Sequence, residues 1–177
     1  LVAAFVCTLP FYWDRSLHEL PDDGWDWLMR KGIEDYENSI APNFLGGLQI
    51  VIRRNLQGKG LSQRLIAEGK RLRQDKGLTY FVLPIRPTFK HRFPNMPMHE
   101  YLQYKEDDRV FDPWIRSHLK SGARVIRVCN NSMNVRGDLK FWESLKKEKI
   151  TTSGMHEVQG ALNRVHIDLE SNFGEYR

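Results

Sequence analysis

Between two segments of different periodicity lies the stretch Gln57-Gly58-Lys59-Gly60-Leu61-Ser62. The residues before it, 46–53, alternate in a way that predicts a strand with one face buried. The residues after it, 60–75, repeat apolar side chains at helical spacing and end in Asp75-Lys76-Gly77, a favourable helix C-terminus. A strand, a glycine-rich turn and a helix in that order form a phosphate site, because the backbone N–H groups and the positive helix end point to one place.

The spacing within this stretch excludes two common phosphate motifs. A P-loop needs G-x-x-x-x-G-K-[ST], which is absent, and the dinucleotide fingerprint needs a glycine where Gln63 stands. The pattern Q/R-x-x-G-x-G/A fits, with Gln57, Gly60 and Ser62 at its defined positions. Serine is small enough to allow a close approach of the backbone to a ligand. The two glycines taken alone are equally compatible with an ordinary strand-to-helix turn.

With this loop the chain resembles the GCN5-related N-acetyltransferase (GNAT) superfamily, which binds the pyrophosphate of coenzyme A through it. Two positions depart from the usual pattern: Ser62 replaces Gly or Ala, and Arg54 replaces a common proline. A narrower similarity, over roughly residues 44–168, is to the GNAT-like domains of polyketide synthase loading modules and their free-standing relatives. It rests on three segments, Leu83-Pro84-Ile85-Arg86-Pro87-Thr88-Phe89-Lys90, Phe111-Asp112-Pro113-Trp114-Ile115-Arg116-Ser117-His118 and Gly160-Ala161-Leu162.

The resemblance implies one GNAT-like domain over residues 1–177, of α/β class, with a mixed central sheet flanked by helices. The early elements of that fold are then expected upstream of Leu1. It also implies acetyl-CoA, or coenzyme A, as the cofactor and acyl donor. The pantetheine arm would lie along the backbone of Ile50, Val51 and Ile52. The pyrophosphate would be bound by Gln57, Gly58, Lys59, Gly60, Leu61 and Ser62.

The rest of the chain reads as alternating strands and helices. Strands are predicted at residues 1–8, 78–85, 123–129 and 162–169. Helices are predicted from Asp22 or Asp23 to Glu37, and at residues 98–104, 112–120 and 137–147. The unit formed by 46–53, 60–75 and 78–85 is βαβ, so its two strands should run parallel. Prolines at 87, 94 and 97 exclude a long helix after it, and the loop 86–111 is expected to shape the acceptor site.

Four side chains are candidates for the chemistry. His118 shares a helix face with Trp114, Ile115 and Leu119, which predicts that it turns inward and can transfer a proton near neutral pH. Spacing alone also fits a core histidine, whereas the loading-domain resemblance implies a functional one. The hydroxyl of Thr88 is a candidate for binding a carbonyl or carboxylate, or it is simply a turn residue. Tyr104, with Tyr101 as the alternative, is a candidate acid for the thiolate, or packs in the core.

Composition limits the function classes. The 177 residues suit one domain with 41% hydrophobic and 28% charged residues, and no apolar run is long enough to span a membrane. The net charge of +5 is spread among acidic residues, which argues against a nucleic-acid partner. The two cysteines, Cys7 and Cys129, are predicted to be buried free thiols, as expected for a protein of the reducing cytoplasm. The histidines show no metal-binding spacing, so no metal is predicted.

These observations favour an acyltransferase that uses acetyl-CoA, or another acyl-CoA, to acylate an acceptor, with an amine as the leading choice. Two alternatives stay open: a malonyl-thioester decarboxylase of the polyketide loading type, in which His118 and Thr88 contact the carboxylate, and a CoA-binding module without catalysis. The acceptor is expected to be a small molecule or a carrier protein. The sequence does not predict the oligomeric state.

Overall fold

The computed structural model describes residues 2–176, and this part of the chain contains five α-helices and nine strands. The helices are α1 (Gly24–Glu37), α2 (Leu61–Asp75), α3 (Met98–Gln103), α4 (Pro113–Lys120) and α5 (Leu139–Lys146). The strands are β1 (Ala4–Phe11), β2 (Phe44–Ile52), β3 (Tyr80–Val82), β4 (Lys105–Glu106), β5 (Arg109–Val110), β6 (Val135–Gly137), β7 (Gly154–His156), β8 (Val165–Asp168) and β9 (Phe173–Tyr176). Short 3-10 helices occur at Leu17–Glu19, Arg54–Leu56 and Lys90–Arg92.

The strands form two main sheets and one small hairpin. The first sheet has the order β1-β2-β3, with β1 and β2 antiparallel and β2 and β3 parallel. The second has the order β6-β9-β8-β7 and is antiparallel throughout. β4 and β5 pair only with each other. The α/β class and the mixed sheet predicted from the sequence are therefore confirmed, and the parallel β2–α2–β3 unit is present.

Helices α1 and α2 cover opposite faces of the first sheet. A Cβ atom on Gly46 would lie 2.5 Å from the Leu28 side chain of α1, whereas one on Gly47 would lie 2.5 Å from Leu83. Phe81 also lies beside Gly47, and it packs so tightly on Gly69 of α2 that a Cβ there would lie 2.6 Å from its ring. Because neighbouring residues of a strand point to opposite faces, these glycines let one helix approach on each side.

The second sheet has its own hydrophobic core. Trp142 of α5 packs there with inward side chains of β8 and β9 and with residues of the loops before β8, all buried: Ile150, Val158, Leu162, Val165, Ile167 and Tyr176. Burial of this apolar set supplies the main driving force for packing α5 on the sheet. The first sheet has a separate cluster formed by Phe11, Leu28 and Phe44.

The structure corrects several predicted boundaries. The strand expected at 78–85 is reduced to β3, because Pro84 has no N–H for a ladder and the pairing with β2 already ends at Val82 and Gly46. The strand expected at 162–169 is reduced to β8. Asp23 precedes α1 but makes no capping bond, and its carboxylate pairs with Arg30 instead. Of the strand predicted at 1–8, Leu1 lies outside the described residues.

The strand predicted at 123–129 is wrong, because these residues have no regular structure. Among the described residues, none of the backbone N–H groups of residues 124–129 has a hydrogen-bond partner. We call residues 124–129 the unpaired segment. Val125, Ile126 and Val128 have the composition of a strand, but a strand also requires a neighbour, and no strand of residues 2–176 pairs with them.

The prediction that both cysteines are buried is also wrong. Cys7 is exposed, because it lies on the outward face of β1, and Cys129 is half-buried at the end of the unpaired segment. Both are free thiols. None of the helices in residues 2–176 combines the length and the apolarity that crossing a bilayer requires.

Candidate functional site

The predicted phosphate loop has a backbone geometry that only glycine adopts without strain. Gly58 and Gly60 both have φ of 76°, in the left-handed region, and Gly60 is the residue from which α2 begins. A Cβ on either glycine would meet no atom within 4 Å, so the space above the loop is open. No side chain of the described residues caps the first turn of α2, which leaves its N–H groups available to an anion.

Gln57 closes the loop against the end of the preceding strand. Its side-chain Nε2 donates to the backbone carbonyl of Ile52 over 3.4 Å, a long hydrogen bond. Gln57, Gly58, Lys59, Gly60 and the strand end are thus brought together, as the sequence predicts. All four loop residues are exposed, whereas Leu61 and Ser62 are half-buried at the start of α2.

The strand before the loop has one edge without a strand partner. β3 pairs with β2 only from Phe44 to Gly46, and β2 continues to Ile52 paired with β1 alone. Ile50, Val51 and Ile52 are half-buried on this stretch. A free strand edge offers backbone groups to an extended ligand, which is the position predicted for the pantetheine arm.

A bulge in β2 involves a residue that the sequence analysis did not consider. The register shifts between Cys7, which faces Gln49, and Thr8, which faces Gly47, so that Leu48 is the extra residue. The indole Nε1 of Trp25 donates to the carbonyl of Leu48 over 3.0 Å. Trp25 therefore satisfies a carbonyl that the bulge removes from the ladder. No local sequence signal marks either residue for this contact.

His118 is turned inward, as its helical spacing predicts. It is 2% exposed, and its ring packs edge-on against Trp114 with 4.4 Å between the ring centroids. Neither ring nitrogen has a hydrogen-bond partner among the described residues. Burial lowers the pKa of His118 to about 4, so the imidazole is neutral at pH 7. Leu119, predicted to share this face, is 38% exposed.

The helix that carries His118 is fixed at its start by Asp112, as the Asp-Pro sequence predicts. Asp112 Oδ1 accepts from the backbone N–H groups of Trp114 and Ile115 at 2.9 and 3.1 Å, and Pro113 occupies the first helical position. Its Oδ2 accepts from the backbone N–H of Phe89, next to Thr88, at 2.9 Å. One buried carboxylate thus connects the loop after β3 to the histidine helix.

The predicted acids Tyr101 and Tyr104 lie in different environments. Tyr101 is 1% exposed and donates its phenol proton to Asp112 Oδ2 over 2.9 Å, and its pKa is raised by burial and by this bond. Tyr101 therefore holds its proton in a structural contact. Tyr104 is half-buried, with its ring centroid 5.4 Å from that of Phe93 and 5.2 Å from that of Phe111.

His118 lines a cavity with a volume of about 1270 Å³. Its walls are residues 79–87, the starts of α1 and α3, one side of α2, the end of α4 and the unpaired segment. Leu162, from the loop before β8, and Tyr176 of β9 also contribute. Neither β2 nor the loop 57–62 lines it. The structure therefore places His118 in a cavity beside β3.

Thr88 and Tyr104 do not belong to the cavity wall. Thr88 is exposed, and its backbone carbonyl lies 3.0 Å from His91 Nδ1, whereas the preceding residues, Arg86 and Pro87, line the cavity. The structure thus brings His118 and the residues before Thr88 to one wall and leaves the Thr88 hydroxyl outside it.

Asp22 holds the unpaired segment in place. Its Oδ1 accepts from Arg127 Nη2 at 2.8 Å and from the backbone N–H of Asn130 at 3.1 Å. Its backbone carbonyl accepts from the N–H of Asn131 at 3.2 Å. The sequence predicts Asp22 or Asp23 as a helix cap and gives no sign of these contacts, because the partners of Asp22 are more than 100 residues away.

Comparisons with known proteins find a curated relative and several solved structures. The curated relative is the arginine N-acetyltransferase avaD of Aspergillus versicolor, 32% identical over 136 residues, which are 72% of this chain and 47% of the relative. The chain thus spans less than half of that relative's length. One of the solved structures is the loading GNATL domain of CurA from Lyngbya majuscula, with a TM-score of 0.56 and 20% identity over 71% of this chain and 59% of that one. No protein-family model matches the chain.

Proposed function

Because the chain belongs to the GCN5-related N-acetyltransferase superfamily, we propose that it transfers an acetyl group from acetyl-CoA to an amine acceptor. The single observation that carries this proposal is the open glycine loop at residues 57–62, which leads into the uncapped first turn of α2 beyond the free edge of β2. The curated relative is named for the same class of reaction.

The loop fits a pyrophosphate in both shape and charge. The space over Gly58 and Gly60 is open, and the N–H groups at the start of α2 have no competing side-chain cap. Lys59 adds a cation to the loop. We assign Gln57 through Ser62 to the pyrophosphate of coenzyme A, and the backbone of Ile50, Val51 and Ile52 to its pantetheine arm. When bound, the cofactor supplies a thioester whose carbonyl carbon accepts the amine.

His118 is the proposed base. Transfer requires a neutral amine, and the imidazole of His118, whose ring nitrogens have no hydrogen-bond partner among the described residues, can accept the proton that the amine releases. Tyr104 is proposed as the acid that protonates the leaving thiolate, and Thr88 as a hydroxyl donor to the carbonyl oxygen. All three assignments require that these side chains and the thioester, whose pantetheine arm is assigned to β2, come together when substrates bind.

The acceptor is proposed to be a small molecule or a group on a carrier protein, not a nucleic acid or a membrane component. Arginine, after the name of the curated relative, is the first acceptor to test. A cytoplasmic location is part of the same proposal.

The test follows acetyl-CoA consumption and product mass together. The protein is incubated with acetyl-CoA and arginine, and free thiol and N-acetylated product are measured. Product in equal amount to thiol supports the proposal. A parallel incubation with malonyl-CoA and no acceptor detects acetyl-CoA. If that product forms, the chain is a decarboxylase and the transferase proposal is overturned. If coenzyme A does not bind at all, both enzymatic functions are overturned.

A second pair of variants examines His118. His118→Ala is expected to abolish product formation while acetyl-CoA still binds, and His18→Ala, at an exposed site in the short helix Leu17–Glu19, is the matched control. Turnover that persists in His118→Ala would remove His118 from the mechanism and leave the transferase proposal intact.

A further inference from the structure

The cavity that contains His118 has a strongly one-sided charge. Among the described residues that line it are five lysines and arginines and no aspartate or glutamate: Lys70, Arg73, Arg86, Arg124 and Arg127. Within residues 2–176, only Arg127 of these five forms an ion pair, with Asp22, which is not part of the wall. Cations gathered around a concave surface without carboxylates produce a positive potential inside it.

Several of these cations are held in place by backbone contacts. Arg73 Nη1 donates to the carbonyls of Leu78 and Thr79, both at 3.0 Å, and Lys70 donates to the carbonyl of Ser121. Arg86 donates one N–H to the carbonyl of Gly160. A guanidinium has five N–H donors, so these contacts fix the positions of the arginines and leave donors for a ligand.

Arg124 differs from the others. It is exposed, lies in the unpaired segment, and makes no hydrogen bond or ion pair within residues 2–176. Arg86 lies in the segment that follows β3, and this segment and the unpaired segment both line the cavity. Within residues 2–176, Arg124 keeps all of its N–H donors and Arg86 keeps all but the one bound to Gly160, so these two arginines have the most donors left for an anionic group.

The wall also contains buried apolar residues and one buried polar side chain whose ring nitrogens have no partner among the described residues. Leu28, Ile66 and Ile115 are buried hydrophobic residues that line the cavity. His118 lines it as well, 2% exposed and with both ring nitrogens unpartnered. A molecule that fits this surface has an apolar body and a negative charge, and presents a group that can hydrogen-bond to a neutral imidazole.

We propose that this cavity binds the acceptor, and that the acceptor is an amine that also carries a carboxylate, held by Arg86 and Arg124 with its apolar body against α1 and α4. An amine without a carboxylate remains cationic at neutral pH and is repelled by the positive wall. The assignment of the bound molecule as acceptor rests on the proposed acetyl transfer. The proposal that the cavity binds an organic anion does not depend on acetyl transfer.

The binding test needs no turnover. Anilinonaphthalene sulfonate, an apolar fluorescent anion, is titrated into the protein, and octanoate and octylamine are then compared as competitors. The anion is expected to bind and to be displaced by octanoate, with octylamine at least about tenfold weaker. Displacement by octylamine to within about twofold of octanoate overturns the inference.

Paired variants localise the site. Arg86→Gln with Arg124→Gln is expected to weaken binding of the fluorescent anion by about tenfold or more. The control pair, Lys105→Gln with Arg109→Gln, removes the same charge from the exposed hairpin β4–β5, outside the cavity, and is expected to leave binding unchanged. Equal binding by the two variant proteins places the anion elsewhere and overturns the proposal.

The acceptor part is tested with acetyl-CoA and three matched pairs: leucine with isopentylamine, phenylalanine with phenethylamine, and arginine with agmatine. Only the members with a carboxylate are expected to be acetylated. Equal acetylation within the pairs overturns the carboxylate assignment and leaves acetyl transfer standing. If no member of any pair is acetylated, the acceptor assignment is overturned. The anion-binding experiment then shows separately whether the cavity binds an organic anion.

Discussion

The phenol of Tyr101 donates to Oδ2 of Asp112 over 2.9 Å, at a carboxylate that is only 1% exposed. The same carboxylate caps the helix of His118 and accepts from the backbone N–H of Phe89. Four donors therefore converge on one buried side chain. Such a group is costly to remove, because each donor left behind stays buried without a partner.

Asp112→Ala is expected to lower the free energy of unfolding by about 3 kcal/mol, because the helix loses its cap and the buried donors lose their acceptor. The control is Asp138→Ala. Asp138 also caps a helix, α5, but it is exposed and accepts one bond, from the N–H of Phe141, so a loss of about 1 kcal/mol is expected. Urea denaturation measures both. Equal losses would show that the buried bonds of Asp112 add nothing to its cap.

The buried His118 should make stability depend on pH. Its pKa is lowered from 6.5 to about 4 in the folded protein, so the unfolded chain takes up a proton first as the pH falls. The stability that comes from the neutral ring is therefore complete above pH 6.5 and is lost between pH 6.5 and about 4. The loss is on the order of 3 kcal/mol.

His118→Phe should remove this part of the pH dependence, and His18→Phe, at an exposed site, should keep it. Unfolding free energies from urea titrations between pH 4 and 7 supply the comparison. Parallel curves for the wild type and His118→Phe would mean that the ring is protonated without penalty, against the burial seen in the structure.

Lys90 is 0% exposed and joins two distant loops. Its ammonium donates to the carbonyls of Phe93 and Leu162 at 2.8 and 2.9 Å and to Asn163 Oδ1 at 3.1 Å, and its burial lowers the pKa of the amine. Lys90→Met should therefore destabilise the fold by about 3 kcal/mol, because buried acceptors lose their donor. Lys105→Met, on the exposed β4, is expected to change stability by less than about 0.5 kcal/mol. Thermal and urea unfolding of the two variants give the measurement, and similar midpoints would contradict the role assigned to Lys90.

Substitution of two glycines at opposite ends of α2 can distinguish an effect on stability from an effect on cofactor binding. Gly60 and Gly77 have φ of 76° and 65°, and a Cβ on either meets no atom within 4 Å. Each change to alanine should cost about 1–2 kcal/mol of stability from backbone strain alone. Only Gly60→Ala places a methyl group in the space assigned to pyrophosphate, and it should weaken coenzyme A binding by about tenfold in calorimetric titration. Equal affinity in the two variants would remove the loop from the cofactor site.

Local patterns in the sequence were enough to predict α2, β2 and the start of α4. Each depends on residues within one or two turns of one another: the apolar spacing after Gly60, the alternation before Gln57, and the Asp112-Pro113 cap. The inward position of His118 follows from the same helical spacing. These are also the parts of the chain that carry the resemblance to the superfamily.

The parts that the sequence did not predict depend on distant partners. Val125, Ile126 and Val128 have strand composition, but pairing is decided by whether another strand lies alongside. The burial of Lys90 depends on carbonyls more than 70 residues away. The acid-free lining of the cavity combines side chains from many separate stretches of the chain, between residues 17 and 176, so no local spacing reveals it.

The unpaired segment should differ from its neighbours in the rate at which its backbone amides exchange hydrogen with solvent. Backbone amides without hydrogen-bond partners exchange their protons with solvent quickly, whereas those of the neighbouring α4 are protected by the helix. The exchange rate of residues 124–129 can therefore report on ligand binding in the neighbouring cavity. Deuterium uptake, measured by mass in a peptide that contains these residues, should slow when a ligand occupies this side of the cavity. Ligand binding could then be detected without a dye and without turnover.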